Sequence, residues 1–87
     1  MKYMVIWLPS AEQRLAQLWT TGPDRAAITA AANAIDRTLA ADPDTQGEAR
    51  AGQTRILIEE PLAVYFKVNE QDRRVTVWDV WRWRTTP

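Results

Sequence analysis

The stretch V-T-V-W-D-V-W-R-W-R, residues Val75–Arg84, reads as a β-strand that also carries binding chemistry. It places three tryptophans and two arginines within seven residues. Because successive side chains of a strand point to opposite faces of a sheet, we expect Arg82 and Arg84 to share one face with Trp78. The other face is expected to pack in a core and to carry Val75, Val77, Trp81 and Trp83.

Asp79 conflicts with this simple alternation. Strict alternation puts its carboxylate on the valine face, where an unpaired buried charge is costly. Either a nearby arginine pairs with Asp79, or a β-bulge near it breaks the alternation and changes which tryptophans face inward. The sequence leaves both alternatives open.

A strand and a helix are predicted at the start of the chain. Residues Lys2–Leu8 are apolar at nearly every position, which is typical of a strand covered on both faces. Pro9 ends the strand, and Ser10 with Gln13 forms a capping-box pattern, so a helix is predicted to begin at Ser10. Gly22–Pro23 ends that helix. Its apolar stripe comprises Ala11, Leu15, Leu18 and Trp19.

A second helix is predicted to follow at once. Asp24 is its N-cap candidate, and apolar residues then keep a helical period to about Ala40. The connection Thr20–Pro23 is short, so the two helices should form an antiparallel hairpin. The stripe consists of Ile28, Ala31, Ala32, Ile35 and Leu39.

The second half of the chain predicts a loop and three strands. Turn formers dominate Asp42–Thr54, which is therefore predicted to be a loop. The element order β-α-α-β-β-β indicates an α+β fold, in which a helical hairpin packs on one face of a mainly antiparallel, curved sheet. The three strands are Arg55–Glu59, Leu62–Asn69 and Arg74–Trp83, separated by Glu60–Pro61 and by the polar turn Glu70–Arg73.

Composition limits the number of domains and the chemistry. The chain has 87 residues, 46% of them hydrophobic and 25% charged, which suits a single domain spanning residues 1–87. Its formal net charge of zero argues against a strongly basic nucleic-acid module. The apolar run Tyr3–Pro9 is far too short to span a membrane, so no membrane partner is expected.

The chain contains no cysteine and no histidine. Disulfides and cysteine metal sites are therefore excluded, and a reducing cytoplasm is the simplest compartment. We expect no metal and no cofactor, because the commonest metal ligand is missing. Any acid or base must be Asp, Glu, Lys, Arg or Tyr.

Four segments match landmarks of a known family. They are I-W-L-P-S-A-E at residues 6–12, Asp42–Pro43, L-A-V-Y-F-K-V at residues 62–68 and V-W-R at residues 80–82. Together they resemble the RelE/ParE toxins of type II toxin-antitoxin systems, and the resemblance covers almost the whole chain. It implies a cytoplasmic toxin that forms a hetero-oligomer with a cognate antitoxin. Members of this family either cut mRNA on the ribosome or inhibit DNA gyrase.

The ribonuclease branch suggests catalytic candidates. Attack by an RNA 2′-hydroxyl needs proton transfer and cationic stabilisation of the phosphate. The resemblance implies that Arg82, together with Arg55 and Lys67, supplies this chemistry without a metal. The remaining candidates for contact with RNA or a protein partner are Arg50, Tyr65, Trp78 and Arg84.

The chain departs from the ribonuclease pattern at Ala63. Ribonuclease members carry an arginine at this position, and an alanine side chain cannot stabilise a phosphate. Two alternatives to mRNA cleavage therefore stay open: a ParE-like inhibitor of DNA gyrase, and an inactive scaffold that only binds its antitoxin.

Large aromatic residues usually fill cores, so we expect core positions for Trp7, Trp19, Trp81 and Trp83.

Overall fold

Two helices and a five-stranded sheet make up the residues that the computed structural model describes, 2–41, 43, 48–49 and 54–83. The predicted order β-α-α-β-β-β is confirmed, with one two-residue strand in addition. The elements are β1 (Met4–Trp7), α1 (Pro9–Thr21), α2 (Arg25–Ala41), β2 (Glu48–Ala49), β3 (Thr54–Glu59), β4 (Leu62–Asn69) and β5 (Arg74–Arg82).

The sheet is mixed and has the strand order β1-β5-β4-β3-β2. β1 runs parallel to β5, and the other neighbours are antiparallel. The prediction that Asp42–Thr54 is entirely a loop was wrong, since Glu48 and Ala49 pair with Ile56 and Arg55. A two-residue pairing depends on backbone groups and leaves no apolar pattern in the sequence.

Helix α1 begins one residue earlier than its capping-box pattern suggested. Pro9 occupies the first turn, and the N-cap is Leu8, in extended conformation and without a side-chain cap. The amide of Glu12 donates to the Leu8 carbonyl at 2.9 Å. Proline has a fixed φ and lacks an N–H, and both features suit the first helical position. The capping role assigned to Ser10 was therefore wrong.

The predicted stripe of α2 is confirmed, because its large apolar residues are buried against the sheet. The helix begins directly after Asp24, whose carbonyl accepts the Ile28 amide at 3.0 Å. The hydrophobic core contains Tyr3, Ile28, Ala31, Ile35, Leu39, Leu62, Val64, Phe66, Val75, Val77 and Val80. It lies between the helical hairpin and one face of the sheet.

A β-bulge in β5 resolves the conflict at Asp79. Tyr65 pairs with Asp79 and Phe66 with Val77, so Trp78 is an extra residue without a partner across the ladder. The extra residue shifts the alternation by one position, and Val80 is buried in the core. The Asp79 carboxylate is only partly buried and accepts the Val80 amide at 2.9 Å.

The bulge also changes which aromatic residues face the core. The expectation that Trp81 and Trp83 fill the core was wrong: both are partly exposed, and Trp81 stacks on Tyr65 on the other face. Trp19 is also outside the core, with 40% of its surface exposed. Trp7 packs against the core as predicted.

Candidate functional site

The helices cover one face of the sheet, and we call the other face the open face. Directly paired residues of neighbouring strands share a face, so the pairing register assigns each side chain. Tyr65 lies between the core residues Val64 and Phe66 and therefore points to the open face. The apolar residues of the open face are Met4, Ile6, Leu8, Ile56, Ile58, Ala63, Tyr65, Trp78 and Trp81. Its polar residues are Thr54, Lys67, Asn69, Arg74, Thr76 and Asp79.

An aromatic stack forms the centre of the open face. The Tyr65 ring lies 4.9 Å from the Trp78 ring and nearly parallel to it, at 12°. The centre of the Tyr65 ring also lies 4.7 Å from that of the Trp81 ring, at an interplanar angle of 49°. Parallel and tilted ring pairs at such distances are arrangements that aromatic side chains favour. The stack is therefore a continuous apolar platform.

Three apolar side chains of the open face outside this stack are exposed. Met4 is 64% exposed, Ile58 40% and Leu8 38%. Uncovered apolar surface of this kind marks interaction sites on soluble proteins. The indole N–H groups of Trp78 and Trp83 are buried and have no hydrogen-bond partner among the described residues. Buried indole N–H groups usually have an acceptor.

Arg82, the first catalytic candidate, points to the helix side of the sheet. Its Nη1 donates to Asp24 Oδ2 at 2.5 Å, and its Nη2 donates to the Leu18 carbonyl at 3.3 Å. The guanidinium therefore joins the end of β5 to the turn between the two helices. We call this pair of contacts the clasp. The prediction that Arg82 shares a face with Trp78 was wrong, because the bulge at Trp78 shifts the alternation of the following residues by one position.

The other two catalytic candidates lie away from Arg82. Arg55 pairs with Phe66 and lies on the helix side, whereas Lys67 is exposed on the open face. Arg82 pairs with Leu62. Phe66 lies four residue steps after Leu62 along β4, which corresponds to about 13 Å. The described structure therefore does not bring Arg55, Lys67 and Arg82 into one cluster.

The remaining site candidates divide into two groups. Tyr65 and Trp78 meet in the aromatic stack. Arg50 and Arg84 lie outside the described residues, as does Asp42 of the Asp42–Pro43 landmark. Ala63 is completely buried and pairs with Trp81.

Solved structures of similar shape are known, although no protein-family model and no curated protein matches the sequence. One is a chain in the crystal structure of the toxin-antitoxin complex RelBE2 from Mycobacterium tuberculosis, with a TM-score of 0.76 and 16% identity, covering 99% of this chain and 95% of that one. Another belongs to the chromosomal ParDE TA system from P. aeruginosa, with a TM-score of 0.74 and 16% identity, covering 95% and 98%. This chain has the RelE/ParE fold.

Within this RelE/ParE fold, sequence reasoning missed three contributors. Asp24 was interpreted only as a helix cap, and nothing in its neighbourhood predicts a partner 58 residues away. Met4 and Ile58 were placed in strands without a prediction of their exposure. For Ile58 the neighbouring strand held a signal of this exposure. Ile58 pairs with Ala63, a small residue beside large aromatic residues.

Two negative observations concern the described residues of this RelE/ParE fold. They contain no group of three or more carboxylate, thiol or imidazole side chains placed to hold a metal ion. None of their helices combines the length and apolar character needed to cross a membrane.

Proposed function

We propose that the chain is the toxin of a type II toxin-antitoxin pair and that its open face binds the cognate antitoxin. The uncovered apolar face, with the Tyr65 stack at its centre, is the observation that carries this proposal. A fold similar to chains of the RelBE2 and ParDE toxin-antitoxin systems supports it. The antitoxin would thus form a hetero-oligomer with this chain.

The chemistry of the open face suits a protein partner better than a nucleic acid. Met4, Leu8 and Ile58 offer exposed aliphatic surface that a partner helix or strand can cover. Among the described residues of this face, Lys67 is the cation nearest the stack and Asp79, paired with Tyr65, is an anion beside it; the chain has no net charge.

A growth assay tests the class of the protein. Expression of the chain alone should stop bacterial growth, and co-expression of the antitoxin from the adjoining gene should restore it. Growth that is normal without the antitoxin would contradict a toxin, although binding between the two proteins would then support the inactive scaffold.

A charge placed on the open face tests where the antitoxin binds. Ile58→Asp puts a carboxylate into exposed apolar surface, and we expect a loss of antitoxin affinity of about tenfold or more. Ala30→Asp is the matched control, since Ala30 is exposed on α2 and lies far from the open face. Calorimetric titration of both purified variants should separate them. Equal affinities would reject the open face as the interface.

For the toxic activity, the arrangement of the candidate cations favours binding to a protein target such as gyrase over mRNA cleavage. Arg82 is engaged in the clasp, and Arg55 and Lys67 lie on opposite faces of the sheet. Catalysis by Arg82, Arg55 and Lys67 stays a prediction, as does contact of Arg50 and Arg84 with a partner.

Two readouts after induction distinguish the activities. Inhibition of gyrase predicts filamentous cells and reduced supercoiling with intact transcripts. Cleavage on the ribosome predicts mapped cuts within coding regions that disappear in Lys67→Ala, an exposed substitution that should leave folding unchanged. Cuts that persist in that variant would remove Lys67 from the catalytic candidates.

A further inference from the structure

The open face carries charges of both signs, unlike the other apolar surface of the molecule. That other surface is a groove of about 560 Å³ between α1 and α2, and the charged residues in its lining, Glu12 and Asp36, are both acidic. On the open face Lys67 and Arg74 are basic, and Asp79 is acidic. A surface with charges of one sign repels a copy of itself, whereas a surface with both signs can attract one.

Lys67 and Asp79 lie on neighbouring strands in the middle of the open face. Lys67 of β4 pairs with Thr76, and Asp79 of β5 pairs with Tyr65. These two pairs are two residue steps apart along β4, which is about 7 Å. No ion pair joins Lys67 to Asp79 within the described part of the chain. The Asp79 carboxylate accepts the Val80 amide and still has capacity for a further donor.

These positions suit a twofold symmetric pair of chains. In such a pair every contact occurs twice, with the roles of the two copies exchanged. A twofold axis between β4 and β5, parallel to both strands, lays β4 of each copy over β5 of the other. Tyr65 then faces Trp78 of the other copy. Lys67 faces Thr76 of the other copy, one pair away from Asp79, and the flexible four-carbon stem of lysine can bridge that step.

The exposed apolar side chains suit the same arrangement. Leu8 follows β1, on one side of the aromatic stack, and Ile58 lies in β3, on the other side. Both are well exposed, at 38% and 40%. The twofold axis brings β1 of one copy over β3 of the other, so Leu8 and Ile58 would cover each other's neighbourhood. Two sheets packed face to face in this way form the architecture of a β-sandwich.

The size of the open face suits a weak and reversible dimer. From Ala63 to Asn69 strand β4 spans about 20 Å, and the four strands β1, β5, β4 and β3 together span about 19 Å. Two faces of this size bury roughly 800 Å² of flat area in total, to which the relief of the side chains adds, and this lies in the range of transient interfaces. We therefore expect a dissociation constant on the order of 10 μM.

We infer that the open face pairs with the open face of a second copy of this chain when no antitoxin covers it, with Lys67 of each copy placed against Asp79 of the other. Formation of this dimer does not depend on the proposed toxin function. Its displacement by the antitoxin does, because displacement requires the antitoxin to bind the same face. Below the dissociation constant the monomer dominates, and its open face is accessible to the antitoxin.

Sedimentation equilibrium of the full-length chain tests the dimer. Between about 1 and 100 μM, a range around the expected dissociation constant, the average mass should rise from that of one chain toward that of two. A monomer throughout this range would overturn the inference. Growth beyond the dimer would overturn it as well, because a twofold interface closes on itself.

Charge reversal locates the interface. Lys67→Glu places a carboxylate against Asp79 of the other copy and should weaken the dimer about tenfold or more. Arg37→Glu is the matched control, since it makes the same change of charge on the exposed surface of α2 and should leave the dissociation constant unchanged. Equal dissociation constants for the two variants would place the interface elsewhere and reject the open face.

A mixture of two variants tests the pairing of Lys67 with Asp79. Asp79→Lys alone should also weaken the dimer, because two basic side chains then face each other. Mixed with Lys67→Glu in equal amounts it should restore dimers, since each contact then joins opposite charges. No dimer in the mixture, with both variants folded by circular dichroism, would reject the pairing. Because Lys67 is exposed, Lys67→Glu decides the matter even if Asp79→Lys does not fold.

Addition of the antitoxin separates this inference from the proposed function. A chain that is monomeric alone, but that binds the antitoxin less tightly after Ile58→Asp, would reject the dimer and leave the proposed function intact. A dimer that persists after the antitoxin has bound would support the dimer and reject the open face as the binding site of the antitoxin.

Discussion

Gly22 lies at a point where there is little room for a side chain. A Cβ built on it would lie 2.5 Å from Arg82 Nη2 and 2.7 Å from Asp24 Oδ1. Its backbone is ordinary extended chain, with φ of −109° and ψ of 162°, so space rather than conformation selects glycine. We expect Gly22→Ala to lower the free energy of unfolding by about 1 to 2 kcal/mol, because it displaces a charged hydrogen bond. Urea denaturation measures this change.

The same substitution in an Arg82→Met background is the control. Without the guanidinium the nearest atom to the added methyl is gone, and the Asp24 carboxylate loses its bond to Arg82 and can turn away from the methyl. Alanine also restricts the unfolded chain more than glycine does. Gly22→Ala should then be neutral or stabilise by a few tenths of a kcal/mol. An equal loss of stability in both backgrounds would mean that the clasp is not what excludes a side chain at residue 22.

The bulge in β5 decides which side chains of that strand support the core. Val80 is completely buried, although strict alternation would have placed it at the surface. We expect Val80→Ala to lower the free energy of unfolding by about 2 kcal/mol, from lost apolar burial and a small cavity. Ile58→Ala, on a neighbouring strand and 40% exposed, should cost clearly less. If thermal or urea unfolding gives the reverse order, β5 has no bulge at Trp78.

The sequence predicts some elements better than others, for physical reasons. Helix α2 repeats its apolar residues at 3.6 positions over four turns, and the structure buries that stripe. One inserted strand residue leaves no periodic trace, so only the misplaced charge of Asp79 hinted at the bulge. The candidate site was even harder to predict from the sequence, because the contact between Arg82 and Asp24 joins residues 58 positions apart.

At the scale of the whole molecule, two apolar surfaces lie on opposite sides of one sheet. The groove between the helices contains Trp7 and Trp19, and the open face contains Trp78 and Trp81. A partner on one surface therefore leaves the indoles of the other accessible to solvent. This separation allows the binding surface of the antitoxin to be located by the indoles that it covers.

Tryptophan fluorescence can report each surface separately. In the double variant Trp7→Phe, Trp19→Phe, the remaining indoles lie on β5 and just after it, so antitoxin binding should reduce their quenching by acrylamide. In the reciprocal variant, with phenylalanine at Trp78, Trp81 and Trp83, the antitoxin should leave the quenching of Trp7 and Trp19 unchanged. Protection of both sets by the antitoxin would mean that the two surfaces are coupled or that the antitoxin surrounds the domain.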